Sequence, residues 1–152
     1  MSNDHKILKS DNEIISRVRL FSAIEGGSTF WSREIESKGA EQVLNCALEG
    51  GYDPIKYART IEKIEKSNAD HLLQSIHDAG AIFLTPADPT WPKSVQDLAT
   101  PPIGLVIKGD PALLSRDSLA IVGSRNPTQY GLRVAQEFAA GFVDREWAII
   151  SG

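Results

Sequence analysis

Four consecutive apolar residues, Leu119-Ala120-Ile121-Val122, run directly into Gly123-Ser124-Arg125-Asn126-Pro127-Thr128, and this junction constrains the fold more than any other feature of the chain. A short, uniformly apolar run suits a strand covered on both faces, as in a parallel sheet. Beyond the turn, Tyr130, Val134, Phe138 and Phe142 recur every four residues with Ala135 and Ala139 alongside, which predicts a helix from about Gln129 to Asp144. That stripe assigns Tyr130 to the buried side. Trp147 to Ile150 reads as the next strand. Strand, glycine turn, helix and strand make the right-handed crossover unit from which doubly wound sheets are built. The turn of such a unit opens at the carboxyl edge of the sheet, where unpaired helix amides favour an anion.

The residue types in the turn suit that anion. Gly123 has no side chain to keep a ligand from the backbone, Ser124 offers a hydroxyl, and Arg125 carries a planar cationic fork that matches phosphate oxygens. The competing reading makes Arg125 a surface arginine paired with Asp117 or Asp144. Neither the G-x-G-x-x-G dinucleotide fingerprint nor the G-x-x-x-x-G-K-[ST] phosphate loop is present, because only Gly123 precedes the helix and the last lysine is Lys108.

Upstream, Ala81-Ile82-Phe83-Leu84 and Leu105-Val106-Ile107 read as two further strands, the second ended by Gly109-Asp110. Between them the proline-rich stretch from Asp88 to Pro102 admits at most one helical turn, at Lys93 to Leu98. The first eighty residues read as short helices. Asp11 is placed as the cap of one with apolar positions Ile14, Ile15, Val18 and Phe21, ended by Gly26-Gly27. Ser28 or Thr29 starts a second, stopped by Gly39, and Ala40 to Leu48 form a third, closed by Gly50-Gly51. Asp53-Pro54 signals a fourth, with Ile55, Ala58, Ile61 and Ile64 inward. Ala69 to Ala79 form the last, stopped by Gly80.

Charge limits the function classes. Sixteen Lys and Arg against twenty Asp and Glu give a net charge of −4, which argues against a general nucleic-acid coat but leaves room for a local basic site. Residues 1–80 hold 10 basic against 13 acidic side chains, and residues 81–152 hold 6 against 7, so the second half is slightly less acidic. The cations of residues 53–66 are interleaved with Asp53, Glu62 and Glu65 and read as a solvated helix surface. No apolar run approaches the ~20 residues that span a bilayer, and Met1 to Asn12 is polar, so no membrane partner is expected and the compartment reads as cytoplasmic. The lone Cys46 lies in an apolar stretch and reads as a small buried hydrophobe. His71 and His77 are six residues apart and do not share a helix face, and His5 falls in the fraying start, so no metal or cofactor is expected.

Read together, the motifs from Asp88 to Gly152 resemble the DNA-processing protein A family (DprA, also called Smf). That family's pattern is a D-P-x-Y-P segment, a P-P turn, a G-D turn, and A-I-V-G-[ST]-R-x-x-[TS]-x-Y-G before a helix. Here Asp88-Pro89-Thr90-Trp91-Pro92, Pro101-Pro102, Gly109-Asp110 and the run from Ala120 to Gly131 match in order and spacing, with Trp91 where tyrosine is usual. Ile149-Ile150-Ser151-Gly152 looks like the opening of the family's next segment. Residues 14–80 are loosely similar to its small helical N-terminal domain, with Glu25-Gly26-Gly27 where a G-x-G hairpin is usual.

The resemblance implies an α/β chain: a helical module of the SAM-like or helix-hairpin-helix-like kind over 11–80, then the first part of a Rossmann-like doubly wound parallel sheet over 81–152. On this reading the chain is an incomplete member of the family, stopping within that sheet. The resemblance further implies a non-enzymatic binder of single-stranded DNA in natural transformation and recombination, which protects the strand and assists loading of the RecA recombinase. Gly123, Ser124, Arg125 and Thr128 are then the phosphate-binding residues, Tyr130 is the candidate base-stacking platform, and self-association belongs to the part beyond Gly152. Two other readings compete. One is a Rossmann-like mononucleotide-binding module or nucleotide hydrolase, whose nearest carboxylates are Asp110 and Asp117. The other is a protein-binding adaptor built on residues 11–79.

Overall fold

The computed structural model describes residues 3–151, with side chains from residue 11 onward, so the His5 side chain and Gly152 lie outside what is described. The chain divides into two compact units, Met1–Gly109 and Asp110–Gly152. Among the described residues no helix is long and apolar enough to cross a membrane.

The first unit strings together α1 (Asn3–Ala23), α2 (Thr29–Lys38), α3 (Ala40–Leu48), α4 (Ala58–Lys66) and α5 (Ala69–Asp78), followed by β1 (Ile82–Leu84) and β2 (Leu105–Ile107). Asp11 does not cap α1 but lies inside it. The residues before it, Lys6-Ile7-Leu8-Lys9, include no glycine or proline that would stop a helix extending back through them. Gly39 ends α2 at φ 84°, a left-handed conformation costly for any side chain, and its amide donates to the Ile35 carbonyl at 2.9 Å.

Asp53 acts as a cap of a different element from the one expected. Its Oδ1 accepts from the amides of Ile55 and Lys56 at 2.8 and 2.9 Å, and the bond from Lys56, then that from Ile55, holds its carboxyl below the usual carboxylate range. These bonds close a tight turn over residues 54–57, and α4 starts only at Ala58. The helix face is therefore rotated from the expected one. Ile55 is 89% exposed and Ala58 lies outside, while Tyr57, Ile61 and Ile64 face the core.

α1 packs against α3, α4 and α5, and three neighbours demand a broader apolar arc than a single stripe. Val18, Leu20 and Ala23 are buried, while the expected inner residues Ile15 and Phe21 stay more than a third exposed at the rim. The core gathers Leu20, Trp31, Val43, Leu44, Tyr52 and Ile64. Phe30, Trp31, Tyr52 and Tyr57 form an aromatic cluster within it, the Phe30 and Tyr57 rings stacking at 4.5 Å. The Tyr52 hydroxyl donates to Glu34 Oε2 at 2.7 Å, and the Lys38 ammonium reaches the same oxygen at 2.5 Å. The hydrogen bond from Lys38, then that from Tyr52, holds the Glu34 carboxyl below its ordinary value.

β1 and β2 pair antiparallel, Ile82 opposite Ile107 and Leu84 opposite Leu105. They form a sheet of their own and do not pair with the strands of the second unit. An apolar run fixes that a segment is a strand but not its partner, and the proline-rich connection leaves room for a wide return rather than a crossover. Within that connection Asp88 Oδ2 accepts from the Thr85 amide and hydroxyl at 2.5 and 2.9 Å, which explains why an aspartate opens the Asp88–Pro92 segment.

The second unit holds β3 (Ser118–Ala120), α6 (Gln129–Val143) and β4 (Ala148–Ile150) after a 3-10 turn at Pro111–Ser115. β3 and β4 are parallel neighbours, Ser118 opposite Ala148 and Ala120 opposite Ile150, with α6 in the connection and packed against β4. Helices with small sheets, one of them a parallel pair joined through a helix, fit an α/β chain.

Candidate nucleic-acid interface

The candidate site begins where β3 ends. The Ile121 amide donates to the Ile150 carbonyl at 2.9 Å, the last sheet-like bond, and the backbone then leaves the sheet. Val122, expected inside the strand, lies past the last paired residue of β3 and is 81% exposed. The turn from Gly123 to Thr128 thus lies at the carboxyl end of a parallel strand and at the amino end of a fifteen-residue helix.

Two local hydrogen bonds shape this turn. Ser124 Oγ accepts from the Asn126 amide at 3.1 Å, and Thr128 Oγ1 accepts from the Gly131 amide at 3.1 Å, the N-cap of α6. Each hydroxyl uses a lone pair and keeps its proton, so each remains a donor toward an outside acceptor. This double role is legible in the Ser-x-Asn and Thr-x-x-Gly spacings, but the motif pattern assigns both residues to ligand contact alone. The first backbone bond into Thr128 comes from Leu132, at 3.0 Å. The amides of Gln129 and Tyr130 therefore have no helical acceptor, as expected of a helix start.

Arg125 is exposed, and none of the ion pairs among the described residues involves it. The alternative pairing with Asp117 or Asp144 does not form. Asp117 precedes β3, where its carbonyl accepts from the Ala148 amide at 2.8 Å, and Asp144 ends α6. Asp110 is engaged elsewhere, its Oδ1 capping the 3-10 turn through the Ala112 amide at 2.9 Å. Asp110 and Asp117 thus both lie on the amino side of β3, not at the glycine turn. Gly123 has open space where a side chain would begin, and its φ is not in the left-handed region.

Tyr130 departs from the stripe that assigned it to the core. It is 73% exposed, and the α6 residues that line the concavity with β3 begin only at Gly131. Phe138 is also 58% exposed, and the inward positions are Val134, Ala135, Ala139 and Phe142. Between β3 and the first half of α6 lies an open apolar concavity of about 360 Å³, lined by Leu119, Ile121, Val122, Gly131, Val134 and Phe138. The turn therefore combines an unpaired guanidinium, two hydroxyl donors, helix-start amides and an exposed aromatic ring. That set can hold a phosphate oxygen and stack a planar ring.

Replacing Thr128 with Ala removes the cap of α6 and should cost about 1 kcal/mol. Amide hydrogen exchange in the first turn of α6 is the check. Faster exchange there is expected, with exchange in α3 unchanged.

Residues 82–152 match the family model described as DNA recombination-mediator protein A. The chain is also 43% identical over 65 residues to the DNA processing protein DprA of Bacillus subtilis (strain 168). That stretch covers 42% of this chain and 21% of the relative, so the chain spans about a fifth of the length of the relative it matches. No solved structure matches the chain.

Proposed function

We propose that the turn from Gly123 to Thr128 binds the phosphate backbone of single-stranded DNA. Arg125 supplies the cationic fork, Ser124 and Thr128 donate from their hydroxyls, Gly123 leaves the backbone open to close approach, and Tyr130 stacks on a base. The observation that carries this reading is Arg125, exposed and without an acid partner among the described residues, beside the unpaired amides that open α6. The similarity of residues 82–152 to a DNA-processing protein supports the polymer as ligand.

The wider reading follows from the same similarity. The chain takes part in DNA uptake and recombination in the cytoplasm as a binder that makes and breaks no bond. It shields the strand, helps load the RecA recombinase, and self-associates within the whole protein. Within residues 81–152, the β3–α6–β4 crossover is read as the first part of a Rossmann-like sheet, and residues 11–80 as a helical module.

Fluorescence anisotropy with labelled dT, mixed-sequence and duplex oligonucleotides tests this. Binding of both single strands, weaker binding of duplex, and weakening with added salt are expected. A chain stabilised by a mononucleotide but indifferent to oligonucleotides overturns it.

A further inference from the structure

The helical unit carries a second cluster of cationic and hydroxyl groups that the glycine turn does not use. On α4, Arg59, Lys63 and Lys66 stand at i, i+4 and i+7, the face opposite Ile61 and Ile64. At the end of the helix, the Ser67 hydroxyl donates to the Ile64 carbonyl at 2.6 Å and accepts from Arg19 Nε at 2.9 Å. Arg19 Nη2 donates to the same carbonyl at 2.9 Å. This half-buried guanidinium is therefore held by neutral oxygens alone, and among the described residues no carboxylate lies within ion-pair distance of it.

Beside it lies an open concavity of about 450 Å³, lined by Ser22, Lys63, Lys66, Ser67, Asn68 and His71. Lys66 is paired with Glu62 at 2.5 Å, whereas Lys63 has no acid partner among the described residues. Asn68 Oδ1 accepts from the His71 amide at 2.9 Å, which fixes the start of α5 at the rim. A partly desolvated cation with only neutral acceptors is an electrostatic deficit that an anion offsets. The donors here are dispersed over several residues, which suits an anion with oxygens pointing in several directions better than a flat carboxylate.

We propose that this concavity binds a phosphate group. Lys63, Lys66 and His71 contact it, and Arg19 acts as a positioning residue that anchors Ser67. The site is independent of the glycine-turn reading. Its phosphate comes either from a nucleic-acid strand or from a small phosphate species.

Amide NMR spectra of the full chain, titrated with inorganic phosphate against sodium chloride at equal ionic strength, test it. Saturable shifts over Ser67–Leu72 with phosphate but not chloride are expected, weakened about fivefold or more in Lys63→Glu. Lys63→Ala, at the same exposed position, gives a smaller loss in the same direction. A parallel titration of Arg125→Ala with a dT oligonucleotide separates the sources. Shifts over residues 67–72 there assign a strand phosphate, and shifts with inorganic phosphate alone assign a small species. Absence of saturable shifts with either ligand, or shifts indifferent to Lys63→Glu, overturns the proposal. The amides of residues 123–131 report separately on the glycine turn, so the two sites fail independently.

Discussion

Replacing Arg125 with Ala should weaken binding of a dT oligonucleotide about tenfold or more at low salt, the worth of a charge-assisted hydrogen bond that nothing nearby replaces. The same change should flatten the dependence of log affinity on log salt by about 0.7–1, because one fewer phosphate is neutralised. Stability should not change, because Arg125 is exposed and makes no ion pair among the described residues. Arg125→Lys keeps the charge but loses the fork. It should restore the salt slope while recovering only part of the affinity. Anisotropy across a salt series reads both quantities, and an Arg125→Ala chain that binds like the parent places the DNA elsewhere.

Leu20→Ala should lower the stability of the helical unit by about 2–5 kcal/mol. Leu20 is fully buried on α1, the helix that packs against α3, α4 and α5, so the void it leaves is bounded on several sides by elements that cannot all close in. Phe21→Ala on the same helix should cost less, since Phe21 is 39% exposed and meets Phe83 at the rim with ring centres 5.4 Å apart. Urea unfolding followed by tryptophan fluorescence is the check, with Trp31 buried in the same core as the reporter. A larger loss for Phe21→Ala than for Leu20→Ala would mean the core is centred elsewhere.

The difference between these two residues also marks where a sequence stops predicting burial. Helices α2, α3 and α5 are legible to within a residue or so, because Gly39, Gly50 and Gly80 punctuate the chain and backbone chemistry at such points is local. The crossover from β3 through α6 to β4 is legible for the same reason: the change from an apolar run to a four-residue repeat needs no knowledge of partners. Burial is less legible. Ile14, Ile15, Val18 and Phe21 fit a one-sided stripe, yet the buried arc of α1 is set by three neighbouring helices. Ile55 fails as an inward residue because Asp53 caps a turn instead of the helix itself.

The same distinction runs through the site. Gly123, Ser124 and Arg125 are adjacent in sequence, so their convergence on one turn is readable without the fold. The exposure of Tyr130 is not, since it depends on which residues of α6 face β3, and these begin at Gly131. The cluster around Ser67 is hidden for another reason. Arg19 and Ser67 are 48 residues apart, and the cations of α4 read as a solvated face unless Arg19, without an acid partner among the described residues, is known to bond Ser67 at the end of that helix.

The most direct test of the central claim is to locate the bound strand itself. The full chain is irradiated with a single-stranded oligonucleotide in which iododeoxyuridine replaces thymidine, and the adduct is mapped by mass spectrometry after trypsin digestion. Adducts in the two peptides between Asp117 and Arg133, with Tyr130 the modified aromatic residue, are the predicted result. Adducts confined to peptides from the first unit, with Asp117–Arg133 unmodified, would contradict the glycine turn as the site that holds the strand.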